Sequence, residues 1–308
     1  RKTKTMDEFL TKLRRSYEAG SLLTKLLYIN VGVFVVVRVA LIALRLFNLE
    51  GTPLLAMFQT PSNIGLLLLR PWTVVTYMFL HVDVFHLLFN MLWLYTFGRI
   101  FLLFLDGRRL VGVYLTGGIA GAVLYVAAYA FFPYFRGMGQ TSYLMGASAS
   151  VMAIVFAVSF YRKDYTVNLL FIGQIKLLYL ALGVFAIDFF SITSSNAGGH
   201  IAHIGGALWG FTFASALQRG RDLTAPINRI LDRLANLKKQ REPQMKATPG
   251  GRAENDEAYR ERKRREADTL DEILDKLRRS GYESLSADEK KTLFDASRAQ
   301  GGGGDRTP

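Results

Sequence analysis

The chain has no cysteine among its 308 residues. Disulfides, thiol nucleophiles and thiolate-held metals are therefore excluded. Histidine is scarce, with four copies, so any imidazole chemistry falls to His81, His86, His200 and His203. No cleavable leader is expected at the start, where RKTKTMDEFLTKLRRSYEAG is basic and polar and the first apolar run after it is too long for a signal h-region. No internal repeat is visible, which weighs against a transporter built from two related halves. The G-x-S-x-G elbow of soluble hydrolases is missing as well, because the string at that serine is Gly146-Ala147-Ser148-Ala149-Ser150.

Apolar residues and positive charge are both abundant. Half the residues are hydrophobic, yet the formal net charge is +13. The combination conflicts with a soluble globule and agrees with a membrane protein that has basic loops. Because the charges border apolar runs, nucleic acid is not an expected partner; the lipid bilayer is. The fold class that follows is all-α and polytopic, with six spans of near the ~20 apolar residues a crossing helix needs. They cover about 25–47, 84–105, 110–132, 144–161, 175–192 and 199–217. The long connection over 48–83 is apolar but broken at Pro71, as an interfacial or re-entrant piece would be. Lysine and arginine crowd the N-terminal tail, DGRR, YRKDY and LQRGRDL, and are sparse in the other connections. By the positive-inside rule both termini face the cytoplasm, and segments two, four and six run inward from outside.

The expected organisation is a basic tail over 1–24, a six-helix domain over 25–217, a charged linker or solvated helix over 218–267, a soluble helical hairpin over 268–298 and a flexible tail over 299–308. In the hairpin, Leu270, Ile273, Leu274 and Leu277 share one helical face. Gly281 ends that helix, and Ser286 with Glu289 forms a capping box for the next. The hairpin carries no catalytic group; regulation or docking of a cytosolic partner is its expected use.

Polar residues inside a membrane mark candidate functional sites. In HVDVFHLLFN, His86 and Asn90 lie one turn apart on segment two, with His81 near or above the surface. Ser148 opens segment four behind Gly146. His203 opens segment six, one turn after His200, which reads as a satisfied surface histidine or a shaper of the cavity mouth. Ser148, His86, Asn90 and His203 thus share a shallow depth. A blander account remains open. Ser148 suits close helix packing among small neighbours, as do Gly206 and Gly210, and a neutral imidazole can simply bond across helices. Metal is not expected, because no carboxylate lies at that depth on segments two, four or six. Serine chemistry needs a base within reach of the hydroxyl and donors for the oxyanion. Ser148 as nucleophile, His203 as base, and His86, Asn90 and the Ser148 amide as donors meet that need as a dyad, with Gly146 giving the substrate backbone room.

The stretches HVDVFHLLFN, GASAS and AHIGGALWG, in this order, resemble the rhomboid intramembrane serine proteases over roughly residues 60–217. The resemblance implies a six-helix bundle with a water-accessible cavity and a Ser–His dyad, Ser148 and His203, that cleaves transmembrane protein substrates without a cofactor. It implies His86, Asn90 and Gly146 on the oxyanion side and a bacterial inner membrane as the location. Met152 stands where some members place an aromatic residue against the catalytic histidine. The alternative is a weak or inactive rhomboid-like protein that binds membrane clients.

Overall fold

The computed structural model describes residues 11–12, 14–137, 141–169, 173–194, 196–240 and 256–301. The chain divides into two compact units, Arg1–Arg241 and Glu242–Pro308.

The first unit is built on six main helices: α1 (Leu22–Leu46), α2 (Val84–Leu102), α3 (Gly107–Phe131), α4 (Ser148–Tyr161), α5 (Leu177–Phe190) and α6 (Ala197–Gln218). Their starts are chemically marked. The Ser21 hydroxyl accepts from the Thr24 amide at 3.2 Å. The Asp83 carboxylate accepts from the His86 amide at 2.8 Å, and that of Asp106 from the Arg109 amide at 3.0 Å. Each cap satisfies an amide that the first helical turn leaves without a partner. Asp83 thereby sets where α2 begins, and with it the level of His86 and Asn90.

Among the described residues, α1, α2 and α3 are long and apolar enough to cross a membrane, while α4 and α5 are shorter apolar helices of 14 residues each. The apolar side chains of Val35, Val36 and Val39 on α1 and of Phe190 on α5 point outward and are exposed. α4 is the opposite. Every residue from Ala149 to Ser159 is buried.

Small residues set the packing around α4. A methyl group on Gly206 would collide with the Ala149 carbonyl, and one on Gly210 with that of Ala153. Both numbers rise together, so α4 and α6 run parallel with backbones in contact. Gly117 meets Ala153 and Gly121 meets Ala149 in the reverse sense, so α3 runs antiparallel to α4. Close backbone approach of this kind is what small residues permit between apolar helices.

The connection between α1 and α2 forms short helical turns at Thr52–Ala56, Ile64–Leu69 and Thr73–Thr76, then a 3-10 turn at Tyr77–Phe79. The break at Pro71 is real: Ile64–Leu69 ends before it and Thr73–Thr76 starts after it. Trp72 Nε1 donates to the Met57 carbonyl at 2.8 Å, closing the loop on itself. A two-residue strand β1 (Thr60–Pro61) pairs antiparallel with β2 (Tyr143–Leu144), tying this loop to the approach to α4. Strands β3 (Thr166–Leu169) and β4 (Gly173–Lys176) pair between α4 and α5.

The stretch expected as linker or solvated helix is helical over α7 (Ala225–Gln240), which belongs to the first unit and is held to α3 through Arg108 and Asp232 at 3.1 Å. Residues 241–255 of it lie outside the described residues. The second unit comprises α8 (Asp256–Ser280) and α9 (Ala287–Gly301) around a 3-10 turn at Tyr282–Ser284. Gly281, at φ 76°, stops α8. The Ser286 amide donates to Glu289 Oε2 at 2.6 Å and the Glu289 amide to the Ser286 hydroxyl at 3.2 Å. Of the four apolar residues assigned to one face of α8, Ile273 is buried but Leu274 is exposed, because a pair of helices covers a narrower stripe than a full core does. α9 runs to Gly301, and the rest of the tail lies outside the described residues, as do residues 1–10.

Candidate functional site

The chain reaches Ser148 through a turn held on several sides. The Gly146 amide donates to the Tyr77 carbonyl at 2.9 Å. The Ala147 amide donates to Nε2 of His81 at 3.2 Å. Accepting at Nε2 puts the proton of the neutral His81 ring on Nδ1. His81, expected near or above the membrane surface, is enclosed by protein and fully buried. It supports the serine turn from beneath and is not a cavity residue.

Gly146 adopts φ +113°, a region that side chains strongly disfavour. A Cβ there would also sit 2.7 Å from Cε1 and 2.9 Å from Nε2 of His86. Glycine is therefore required twice, by backbone conformation and by the imidazole against it.

Ser148 is the first residue of α4. Among the described residues neither its amide nor its hydroxyl has a hydrogen-bond partner, and the amides of a first turn point out of the helix at the positive end of its dipole. Ser148 opens onto a cavity of about 610 Å³, lined also by His86 and Asn90 from α2, Met152 from α4, Asp188 from α5 and His203 from α6. The helix register explains the meeting. Gly206 lies against Ala149, so one turn earlier on α6 His203 falls level with the turn at Gly146–Ser148. No hydrogen bond joins Ser148 to His203 among the described residues; contacts of this type are often long in a free enzyme and tighten with substrate. Asn90 Nδ2 donates to the His86 carbonyl at 2.9 Å, which holds its side chain along α2.

Asp188, on α5 and so outside segments two, four and six, brings a carboxylate to His203. Its Oδ1 lies 2.9 Å from Nδ1 of His203 and 2.7 Å from Nδ1 of His200. A carboxylate can only accept, so both rings carry their proton on Nδ1, and a neutral His203 keeps Nε2 free. Asp188 is 5% exposed. His200, expected to be a surface histidine, is bound to it and half-buried. No local pattern marks Asp188; the end of α5 packing against the start of α6 brings it to this level.

Met152 lines the same cavity as His203. Gly206 and Gly210 sit in the α4–α6 contact and line no part of the cavity.

Comparison with known proteins adds a separate line of support. The rhomboid domain matches residues 69–220, and a family of unknown function (DUF6576) matches residues 254–299. RHOMBOID-like protein 12, mitochondrial, of Arabidopsis thaliana is 28% identical over 161 residues, which is 49% of this chain and 48% of that protein. The chain thus spans about half the length of the curated relative it matches. The matched region contains α2 to α6, every cavity residue named above and the glycine contacts that bring them together, so the chain carries a rhomboid domain over residues 69–220.

Proposed function

We propose that the protein is an intramembrane serine endopeptidase acting on transmembrane segments of other proteins. The observation that carries this reading is the convergence of Ser148, His203, His86 and Asn90 on one cavity, with His203 tied to a buried carboxylate.

In the proposed reaction, Nε2 of His203 takes the proton of the Ser148 hydroxyl as Oγ attacks the scissile carbonyl carbon. The oxyanion is met by the Ser148 amide, the His86 imidazole and the Asn90 amide group, preorganised in a protein-walled site. The His203 proton then passes to the leaving amine. Water, activated by the same imidazole, releases the acyl group from Ser148. Asp188 fixes the tautomer and orientation of His203, so the arrangement is a triad in function.

Topology favours the same reading. At ~1.5 Å per residue, 14-residue α4 spans ~21 Å of a ~30 Å hydrocarbon layer. With its C-terminus at one interface, its N-terminus at Ser148 ends roughly 9 Å inside the other. Irregular backbone at that depth is tolerable only where protein surrounds it, and the turn at Gly146–Ala147 is buried. With α6 and α5 as further spans, the bundle has six crossings, both termini on the cytoplasmic side and the cavity opening outward. A helical backbone has its carbonyls engaged, so a substrate must locally unwind to be cut, and the small residues around the site suit small side chains at the cleavage point. The C-terminal helices are read as a hairpin that docks a cytosolic partner; deletion of 242–308 with unchanged cleavage and complex formation would remove that role.

The second reading is a client-binding protein that does not cut. It is favoured by the missing Ser148–His203 hydrogen bond. Reconstitution with a transmembrane substrate separates the two. Wild type should cleave, and Ser148→Ala and His203→Ala should not; equal product, or none, from all three ends the protease reading. A fluorophosphonate should label Ser148 in the parent and not in His203→Ala.

A further inference from the structure

Asp188 is used unevenly. Both histidine Nδ1 atoms converge on Oδ1, at 2.7 and 2.9 Å, while Oδ2 is buried and has no partner among the described residues. Buried carboxylate oxygens normally find a partner, so an idle one calls for an explanation, a bound ion among them. The two imidazoles stand nearly perpendicular, 83° apart with centroids at 5.9 Å, so their Nδ1 lone pairs would approach a common point from different directions. The three candidate ligand atoms all lie within 4.8 Å of one another. His200 and His203 are one helical turn apart on α6, facing a carboxylate from α5. Asp188 and His203 also line the cavity, which leaves an open side for water.

We infer that Asp188, His200 and His203 form a reversible binding site for a divalent transition-metal ion of the Zn²⁺ type, completed by a cavity water. Two imidazoles, one carboxylate and an open fourth position are the donor set zinc accepts in four-coordinate sites. Mg²⁺ and Ca²⁺ want more oxygen ligands than one carboxylate supplies. The ion enters between the three side chains and replaces the two N–H···O contacts. Each neutral ring then binds through Nδ1, and its proton moves to Nε2, so no net proton need leave. For His203 that consequence is decisive. Nε2 is the nitrogen that must be empty to receive the Ser148 proton, so the metal-bound ring is a base no longer. Occupancy therefore inhibits peptide-bond cleavage reversibly; this consequence rests on the protease reading above, whereas binding itself does not.

The test uses full-length protein in detergent, freed of metal by a chelator. Titrated with Co²⁺, wild type should develop the intense visible bands of four-coordinate cobalt, and Zn²⁺ should bleach them. Asp188→Asn and His200→Ala should weaken Co²⁺ binding by about 10–100-fold or more, while Ser148→Ala should bind like the parent. In cleavage assays Zn²⁺ should inhibit the wild type, chelator should restore it, and His200→Ala, measured against its own metal-free turnover, should need at least about tenfold more Zn²⁺ for the same fractional inhibition. Absence of the cobalt bands, or bands that survive in both variants, overturns the site. Bands without Zn²⁺ inhibition of an active enzyme leave the site and overturn its consequence. Bands in a protein that cleaves nothing support the site and count against the protease reading alone.

Discussion

Nδ1 of His203 lies 2.9 Å from Oδ1 of Asp188, across 15 positions of sequence and from one helix to the next. The carboxylate is largely buried, so water competes little for its hold on the ring. In metal-free buffer Asp188→Asn should keep the fold, because the amide occupies the same volume. Its NH2 group, however, can donate to Nδ1 and push the imidazole proton onto Nε2. The expected result is a kcat lowered by on the order of 10²- to 10⁴-fold with KM little changed, read by steady-state cleavage alongside thermal melting. Wild-type kcat in the variant would deny Asp188 a positioning role.

Gly146→Ala places a methyl group 2.7 Å from Cε1 of His86 and forces a side chain onto φ +113°. Backbone strain of this kind costs roughly 1–3 kcal/mol, and the displaced His86 ring removes one of the proposed oxyanion donors. Both the melting temperature and cleavage should fall. A variant with normal stability and normal activity would mean that the turn relaxes freely.

His81 and His86 should separate structure from chemistry. His81→Ala strips the acceptor from the buried Ala147 amide, and an orphaned buried amide costs about 1–3 kcal/mol. Its main effect should be a lower melting temperature, and His81→Gln, which keeps an acceptor, should recover part of it. His86→Ala should melt near the parent temperature and lose turnover. If the two variants exchanged these phenotypes, the placement of both rings would be wrong.

Gly206→Leu wedges a side chain into the Ala149 carbonyl and separates α6 from α4 near the cavity that Ser148 and His203 line. Cleavage should be abolished without any catalytic atom being touched, and fluorophosphonate labelling of Ser148 should be lost in parallel. The change Leu208→Ala, at an exposed position on the same helix, is the control and should leave labelling intact.

At the end of α6, Asp222 accepts from the Thr224 hydroxyl at 2.6 Å, the Thr224 amide at 2.8 Å and Arg109 Nε at 2.8 Å. Partial burial works to raise its pKa, but these donors outweigh it and hold the carboxyl below the usual 3.8. A depressed folded pKa contributes stability that is present above the unfolded value and is lost as pH falls through the folded one. Stability from this contact should therefore be full at neutral pH and decline below about pH 3.8. Asp222→Asn should melt lower at neutral pH and lose that part of the acid dependence. Parallel melting curves for the two proteins at all pH values would show that the contact contributes nothing.

The local sequence determined the elements and most of the candidate site. Apolar length placed six helices within a few residues of their observed ends, because hydrocarbon-length runs have no competing use in a chain this charged. Small residues at Gly206 and Gly210 announced close packing, and Pro71 announced a break, since each acts through its own backbone. Three features were settled by tertiary structure alone. His81 became a buried acceptor because the amide it serves lies 66 positions away. The register between α3, α4 and α6, written in contacts such as Gly206 on Ala149, put a serine and an imidazole on one cavity wall. Asp188 joined them because α5 runs opposite to its neighbours, so the end of one helix meets the start of the next; spacing along a chain carries residue types and periods, and only packing converts them into distances.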